Sequence, residues 1–318
     1  MNICSNQIKE VILHRFKVNS LQKLLIHINF LLAFSVLFCS HSAFGQQSGP
    51  IIINEIKVDH RAVDLGLNVY WAKYNVGATD SIYPGDYFTW DAASNWSDAD
   101  WQHWRTPNKS EMDDLCNSTK ICRFFQDDGI QLQQKLNGAC IGTGIFIPIS
   151  GYKETPCCVL NETDGYLWTS TEDEDHFWSW RAYGMFLGLS RHDFEVRTAA
   201  KRTYQPIRPV IKKVTITLKT SDGNTTVTKS YPYGSKIQIG AFIDECHRVA
   251  YWTKSKSSNN SLLETITDIQ GDNGYKEIFI TEDVTYTAYF SIKTTNVKAT
   301  TEDNQKGTVG LSIGNENN

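Results

Sequence analysis

The sequence predicts two folded units in tandem, an α+β domain followed by a smaller all-β domain. Between Ala62 and Val210, short aromatic-rich strand patterns surround one well-signalled helix. From Val210 onward the texture changes to runs of Thr, Val and Ile separated by turn signals. The length of 318 residues accommodates two such units at roughly 150 residues each.

Residues 1–45 read as a signal peptide. Lys9, Arg15, Lys17 and Lys23 precede an apolar run from Leu24 to Phe38, and Ala43 and Gly45 follow at the spacing a signal peptidase accepts. The run falls short of the roughly 20 residues a membrane span needs. The expectation is therefore a chain that begins near Gln46, is secreted or held at the outer cell surface, and has no membrane span after cleavage. The formal charge is −4 and no basic cluster occurs, which excludes a phosphate-binding surface and with it nucleic acid as partner.

Residues 46–61 form a lead-in, read as a β arm. In the domain proper, Leu65, Leu67, Val69 and Trp71 alternate at period 2, the mark of a half-buried strand. Tyr87–Trp90 reads as a second aromatic strand and residues 91–104 as a polar loop. The helix signal follows: Pro107 bars an earlier start, Asn108 or Ser110 can cap, and Glu111, Asp113 and Asp114 favour the first turn, with an end near Asn117. Ile121–Phe125 and Gly144–Ile149 read as strands around a Gln-rich run of unassigned type. Gly165–Thr171 is aromatic and strand-like, Glu172–Asp175 is an acidic insert, and Trp178 and Trp180 stand in the next strand-like run.

The ordered blocks LGLNVYWAKYNVGA, GDYFTW, WRTPNKSEMDDL, IFIPISGY, GYLWTST and a closing Ile207-Arg208-Pro209-Val210 resemble the Fibrobacter succinogenes major paralogous domain of exported bacterial proteins. The resemblance covers about residues 62–211; the family closes on Ser-Val-Arg-Pro-Val, where this chain has Pro206-Ile207-Arg208-Pro209-Val210. It implies a C-type-lectin-like fold, in which the terminal strands pair and long loops carry function. Residues 212–292, with YPYGSKIQI, Tyr251-Trp252 and ITEDVTYTAYF, resemble a divergent internalin-type B repeat (the Listeria–Bacteroides repeat family). That implies a β-grasp-like module of the kind used as a stalk. The tail, residues 293–318, resembles the beginning of a further repeat.

Trp71, Trp90, Trp104 and Trp168 stand in the shared blocks and are expected in the core, as is Trp252 in the second unit. Arg208 is expected in a structural ion pair. Trp96, Trp101, Trp178 and Trp180 lie in or beside the polar loops, with His176 among them. Exposed rings there would stack on sugars or anchor a protein partner; the competing reading is a second small core. Trp178 and Trp180 are two apart and would share a strand face. Asp173 and Asp175 belong to an acidic run whose oxygens suit Ca²⁺, although the alternating spacing of a calcium loop is absent and a solvated loop explains the run equally. No other cofactor is implied.

Six cysteines remain beyond the leader, allowing 15 full pairings. One or two disulfides are expected among Cys116, Cys122 and Cys140, with at least one thiol free. Cys157 and Cys158 are vicinal, and adjacent residues strain a bond between themselves.

No G-x-S-x-G, H-E-x-x-H or phosphate loop occurs, so an enzyme is not expected. The function implied is recognition or adhesion at the cell surface, through loops 91–103 and 171–180, with a glycan or a surface protein as partner. The alternatives are a non-catalytic component of a surface assembly and, less favoured, a carbohydrate-active enzyme.

Overall fold

The computed structural model describes residues 51–174, 180–244 and 247–293, and the backbone of two later strands, 297–301 and 309–313. Among the described residues the chain is mostly β, built from several sheets, with two short α-helices.

The capping signals place the longer helix where the sequence puts it. Helix α1 covers Trp90–Ser94 and α2 covers Lys109–Asn117. At α2 the Asn108 side chain accepts from the Glu111 backbone, and Glu111 accepts in return from the Asn108 backbone N–H. This reciprocal pair satisfies two of the donors a helix start leaves open. Met112, Leu115 and Cys116 form the buried face.

The expected strand at Tyr87–Trp90 is instead a single bridge, Phe88 to Gln205, after which Trp90 opens α1. The expected polar loop is α1 followed by a 3-10 turn at Ala99–Trp101, where the Asp98 carboxylate accepts from the Asp100 backbone. Alanines 92 and 93 favour the helix, and Ala93 is fully buried beneath it.

In chain order the lead-in carries β1 (Ile51–Lys57), and the first unit opens with β2 (Ala62–Val63), β3 (Val69–Ala72) and β4 (Trp104–Arg105). The meander β5 (Ile121–Gln126), β6 (Gly129–Leu136) and β7 (Ala139–Pro148) follows, then the hairpin β8 (Tyr152–Thr155) and β9 (Cys158–Leu160). A second meander joins β10 (Asp164–Glu172), β11 (Arg181–Gly188) and β12 (Asp193–Ala200). The Gln-rich run is thus the central strand of a meander, β6. Gly144 bends β7 at φ +64°, where a Cβ would run into the Leu132 carbonyl. The alternating Leu65, Leu67, Val69 and Trp71 all point into the core with Met112, Leu115 and Leu187, although only Val69–Ala72 is strand.

Cys122 of β5 and Cys140 of β7 form a disulfide, pinning the two outer strands across β6. Cys116, the third candidate, is not part of it. Its thiol is free and buried under α2, where burial pushes its pKa up and keeps it protonated.

The second unit comprises β13 (Val210–Thr220), β14 (Thr226–Pro232), β15 (Lys236–Ala241), β16 (His247–Lys256), β17 (Leu262–Ile266), β18 (Lys276–Phe279) and β19 (Val284–Ile292). The Ser221–Asn224 turn closes the β13–β14 hairpin, with Gly223 at φ +75°. Trp252 is fully buried and donates to the Gly274 carbonyl at 2.8 Å. In the tail, β20 (Val297–Thr301) and β21 (Val309–Ile313) pair antiparallel.

Two features depart from the expected linear arrangement. The boundary at 211/212 falls inside β13. Val210–Lys212 of that strand pair with β3 and β4, and the remainder pairs with β14 and, in parallel, with β19. The units are therefore joined by a continuous strand, not a linker. The lead-in, read as a β arm, is a strand, and its partner lies in the second unit: β1 pairs antiparallel with β15, from Ile51↔Ala241 to Lys57↔Lys236, and Ile51, Ile53 and Val58 pack on the second core. The first unit sits in the chain between two strands of the second. Its apolar face explains why: Ile51 and Ile53 are an alternating pair that the sheet edge of the second unit can cover.

Arg208 also differs from expectation. It is 1% exposed, and its acceptors are neutral: Asn75 Oδ1 at 2.6 Å, the carbonyls of Ala72 and Lys73 at 3.1 and 2.6 Å, and the Phe146 carbonyl at 2.7 Å. Burial holds its pKa below the ordinary guanidinium value. Four fixed dipoles take the place of the expected carboxylate.

Among the described residues no helix is long and apolar enough to cross a membrane.

Candidate functional site

The candidate ligand site is an open depression of about 540 Å³ where the start of α1 faces the β11–β12 end of the second meander. Thr89, Asp91, Trp180, Ala200, Lys201 and Arg202 line it. Two backbone bonds hold its walls together: Lys201 N donates to the Trp180 carbonyl at 2.9 Å, and Trp90 N donates to the Lys201 carbonyl at 3.1 Å. Beneath lies a small core of Val76, Ala93, Trp168, Ala182 and Ile207. Trp168 donates its indole N–H to the Phe88 carbonyl, and Trp90 donates to the Thr169 carbonyl. The floor is thereby rigid.

Trp180 stands at the rim, 51% exposed, on the turn that enters β11. Arg181 places its guanidinium 5.4 Å from the indole centroid. Lys201 lies 4.7 Å from the Trp90 ring centroid and pairs with Glu172. The depression thus offers one apolar ring face flanked by a carboxylate, an ammonium and a guanidinium. Asp91, Lys201 and Arg202 had no mark in the sequence, because only the folded turn brings them to Trp180.

Trp96 and Trp101 serve a different purpose. They are half-buried and form an edge-to-face series with Trp104, at centroid distances of 5.9 and 5.5 Å. Arg61 stacks on Trp101 at 4.2 Å and donates to the Asp100 carbonyl at 2.8 Å. Asp59 accepts from Arg61 and, at 2.9 Å, from the Trp104 indole. This cluster fastens the 95–104 segment to the lead-in, and it is the second small core, not an exposed platform. Burial would raise the Asp59 pKa, but its hydrogen bonds to Arg61 and Trp104 outweigh that and hold it below the ordinary carboxylate range.

A carboxylate with a lowered pKa adds stability that is present above its unfolded value, near pH 4, and is lost as pH falls through the folded value. Asp59→Asn is therefore expected to lower stability by about 1–2 kcal/mol at neutral pH. In urea unfolding at a series of pH values, the gap to the parent protein should close below about pH 4.

Beside this cluster lies a second cleft of about 470 Å³, between the lead-in, the 99–103 segment and Tyr233–Ser235. His103 holds a left-handed backbone at φ 68° and packs edge-on to Tyr233 at 4.9 Å. Both residues of this contact escaped the sequence reading, since it joins segments 130 residues apart in the chain.

Asp173 is 9% exposed, donates its backbone N–H to the Arg181 carbonyl, and receives a long contact from the Tyr183 hydroxyl at 3.5 Å. Its side chain is thus largely buried beside β11. Among the described residues no group of three or more His, Cys, Asp or Glu is placed to hold a metal ion. Asp175, His176 and Trp178 lie outside the described residues. No protein-family model matches the chain, and no curated protein or solved structure does either.

Proposed function

We propose that this chain is an exported, non-catalytic binding protein that recognises a glycan at the Trp180 depression. The exposed indole beside Asp91, Lys201 and Arg202 is the observation that carries the reading. A sugar ring presents a C–H face that stacks on an aromatic plane, and hydroxyls at its edge that charged side chains hydrogen-bond. The open shape suits a chain terminus or a surface saccharide better than an enclosed small molecule. The pairing of β3 with β13, near the two ends of the first unit, supports the C-type-lectin-like fold that the sequence resemblance implies. The second unit, on this reading, is a β-grasp-like spacer that holds the lectin-like unit off the surface.

Binding of the purified chain to a broad glycan and mucin array, with calcium and with chelator, tests this reading. Trp180→Ala is expected to weaken binding at least about tenfold, with the thermal midpoint unchanged, because an exposed indole that a ligand covers is an aromatic hot spot. Trp101→Ala should instead lower the midpoint and leave affinity in the folded fraction intact. Loss of binding on chelation would assign a metal to the 172–176 run. Absence of binding to every glycan would overturn the reading in favour of a protein partner in a surface assembly.

A further inference from the structure

The β8–β9 hairpin turns through Thr155-Pro156-Cys157-Cys158, and both thiols are exposed. Their sulfurs lie 3.2 Å apart, and the Thr155 hydroxyl oxygen lies 3.1 Å from Cys157 Sγ. The hairpin is tied to the body through reciprocal bonds between Lys153 and Tyr204, at 2.9 and 2.7 Å. Its turn is thereby presented to solvent on a fixed base.

The three other cysteines of the described residues are committed elsewhere. Cys122 and Cys140 are bonded to each other across a meander, and Cys116 is sealed in the core. The vicinal pair alone is both free and accessible among the described residues. The two sulfurs are not equivalent. With Cys157 as thiolate, the Thr155 hydroxyl and the Cys158 S–H both donate to it, and Lys153 adds a favourable field. These bonds hold the Cys157 pKa below the ordinary thiol value, Thr155 contributing most, while donation to Cys157 raises that of Cys158. One sulfur is prepared as nucleophile and the other waits protonated within van der Waals reach.

We propose that Cys157 and Cys158 form a surface dithiol that reduces small-molecule disulfides, with Cys157 attacking and Cys158 resolving. The Cys157 thiolate attacks one sulfur of the disulfide; its S–S bond breaks, and one half leaves as a thiolate while the other half stays on Cys157. Cys158 loses its proton, and its sulfur attacks Cys157 Sγ and expels the second half as a thiolate. Protonation of both leaving groups completes the exchange: the disulfide gains two electrons and two protons as two thiols, and the protein gains one Cys157–Cys158 bond. A ring closed by adjacent residues is strained and readily reduced again, so an excess of the small disulfide drives its closure and a mild reductant reopens it. The pair is thus reversible where the Cys122–Cys140 bond is structural.

The full chain, treated briefly with a mild reductant and then with oxidised glutathione, tests the proposal by non-reducing peptide mass mapping. The peptide carrying both residues is expected to lose two hydrogens without retaining glutathione, with the Cys122–Cys140 link intact. Cys158→Ser should stop at a mixed disulfide on Cys157, and Cys157→Ser should react about tenfold more slowly. Both side chains are exposed, so an unchanged thermal midpoint accompanies either variant. Equal trapping by the two variants would overturn the proposal, since it would make them ordinary surface thiols. So would a bond from either residue to any other cysteine of the chain or to a second copy of it.

Discussion

Replacing Arg208 with methionine is expected to lower the stability of the first unit by about 3–5 kcal/mol, a large share of the total for a domain of this size. Exchange of a buried charge for an apolar side chain is often harmless when its partner is removed as well. Here the partners are backbone. The carbonyls of Ala72, Lys73 and Phe146 and the side chain of Asn75 all point at the guanidinium and would stay behind, buried without donors. Asn75 is itself 1% exposed and spends its own amide on the Pro84 carbonyl, so it cannot turn to water. Lysine keeps the charge but not the planar fork that reaches two chain segments at once. Arg208→Lys is therefore expected to cost about 2 kcal/mol or more. Urea unfolding midpoints measure both, and a methionine variant as stable as the parent would show that these acceptors find other donors.

Arg208 also shows what the sequence could and could not convey. Its structural role was legible from its place in the closing Ile-Arg-Pro-Val block, but its partners were not, because they come from segments more than sixty and more than 130 residues away. The helix at Lys109–Asn117 was readable to its ends, since Pro107, Asn108 and Glu111 act within one turn. The aromatic stretch at Tyr87–Trp90 misled, because strand propensity depends on a neighbouring strand and Phe88 finds a single bridge there. The tryptophans divide for the same reason. Local sequence placed Trp96, Trp101 and Trp180 alike in polar surroundings, yet Arg61 and Asp59, some forty residues upstream, cover Trp101 and its neighbour Trp104, while Trp180 stays at a rim. For the candidate site, one ring could be nominated from the sequence, and its charged companions needed the fold.

The lead-in carries the second large effect. Deleting residues 46–57 should destabilise the second unit by about 4 kcal/mol, from two half-buried isoleucines and the ladder bonds of β1. The loss is not confined to the removed atoms. Ile237 and Ile239 of β15 are fully buried beside β1, and without it their strand becomes an open edge with an apolar flank. The shortened chain should therefore lose hydrogen-exchange protection in Lys236–Ala241 first and self-associate on warming. The first unit, whose core is separate, should keep its protection at α2 and β6. Ile53→Ala is a milder form of the same test, because it leaves the backbone ladder in place and removes only the apolar contact. A peptide spanning residues 50–58, added to the deleted chain, supplies the decisive comparison. If β1 acts as a strand of the second unit, the peptide should restore protection at β15 and suppress association. A β15 equally protected with and without residues 46–57 would instead make the lead-in a passive cover, and the expected unit of residues 212–292 would then stand by itself.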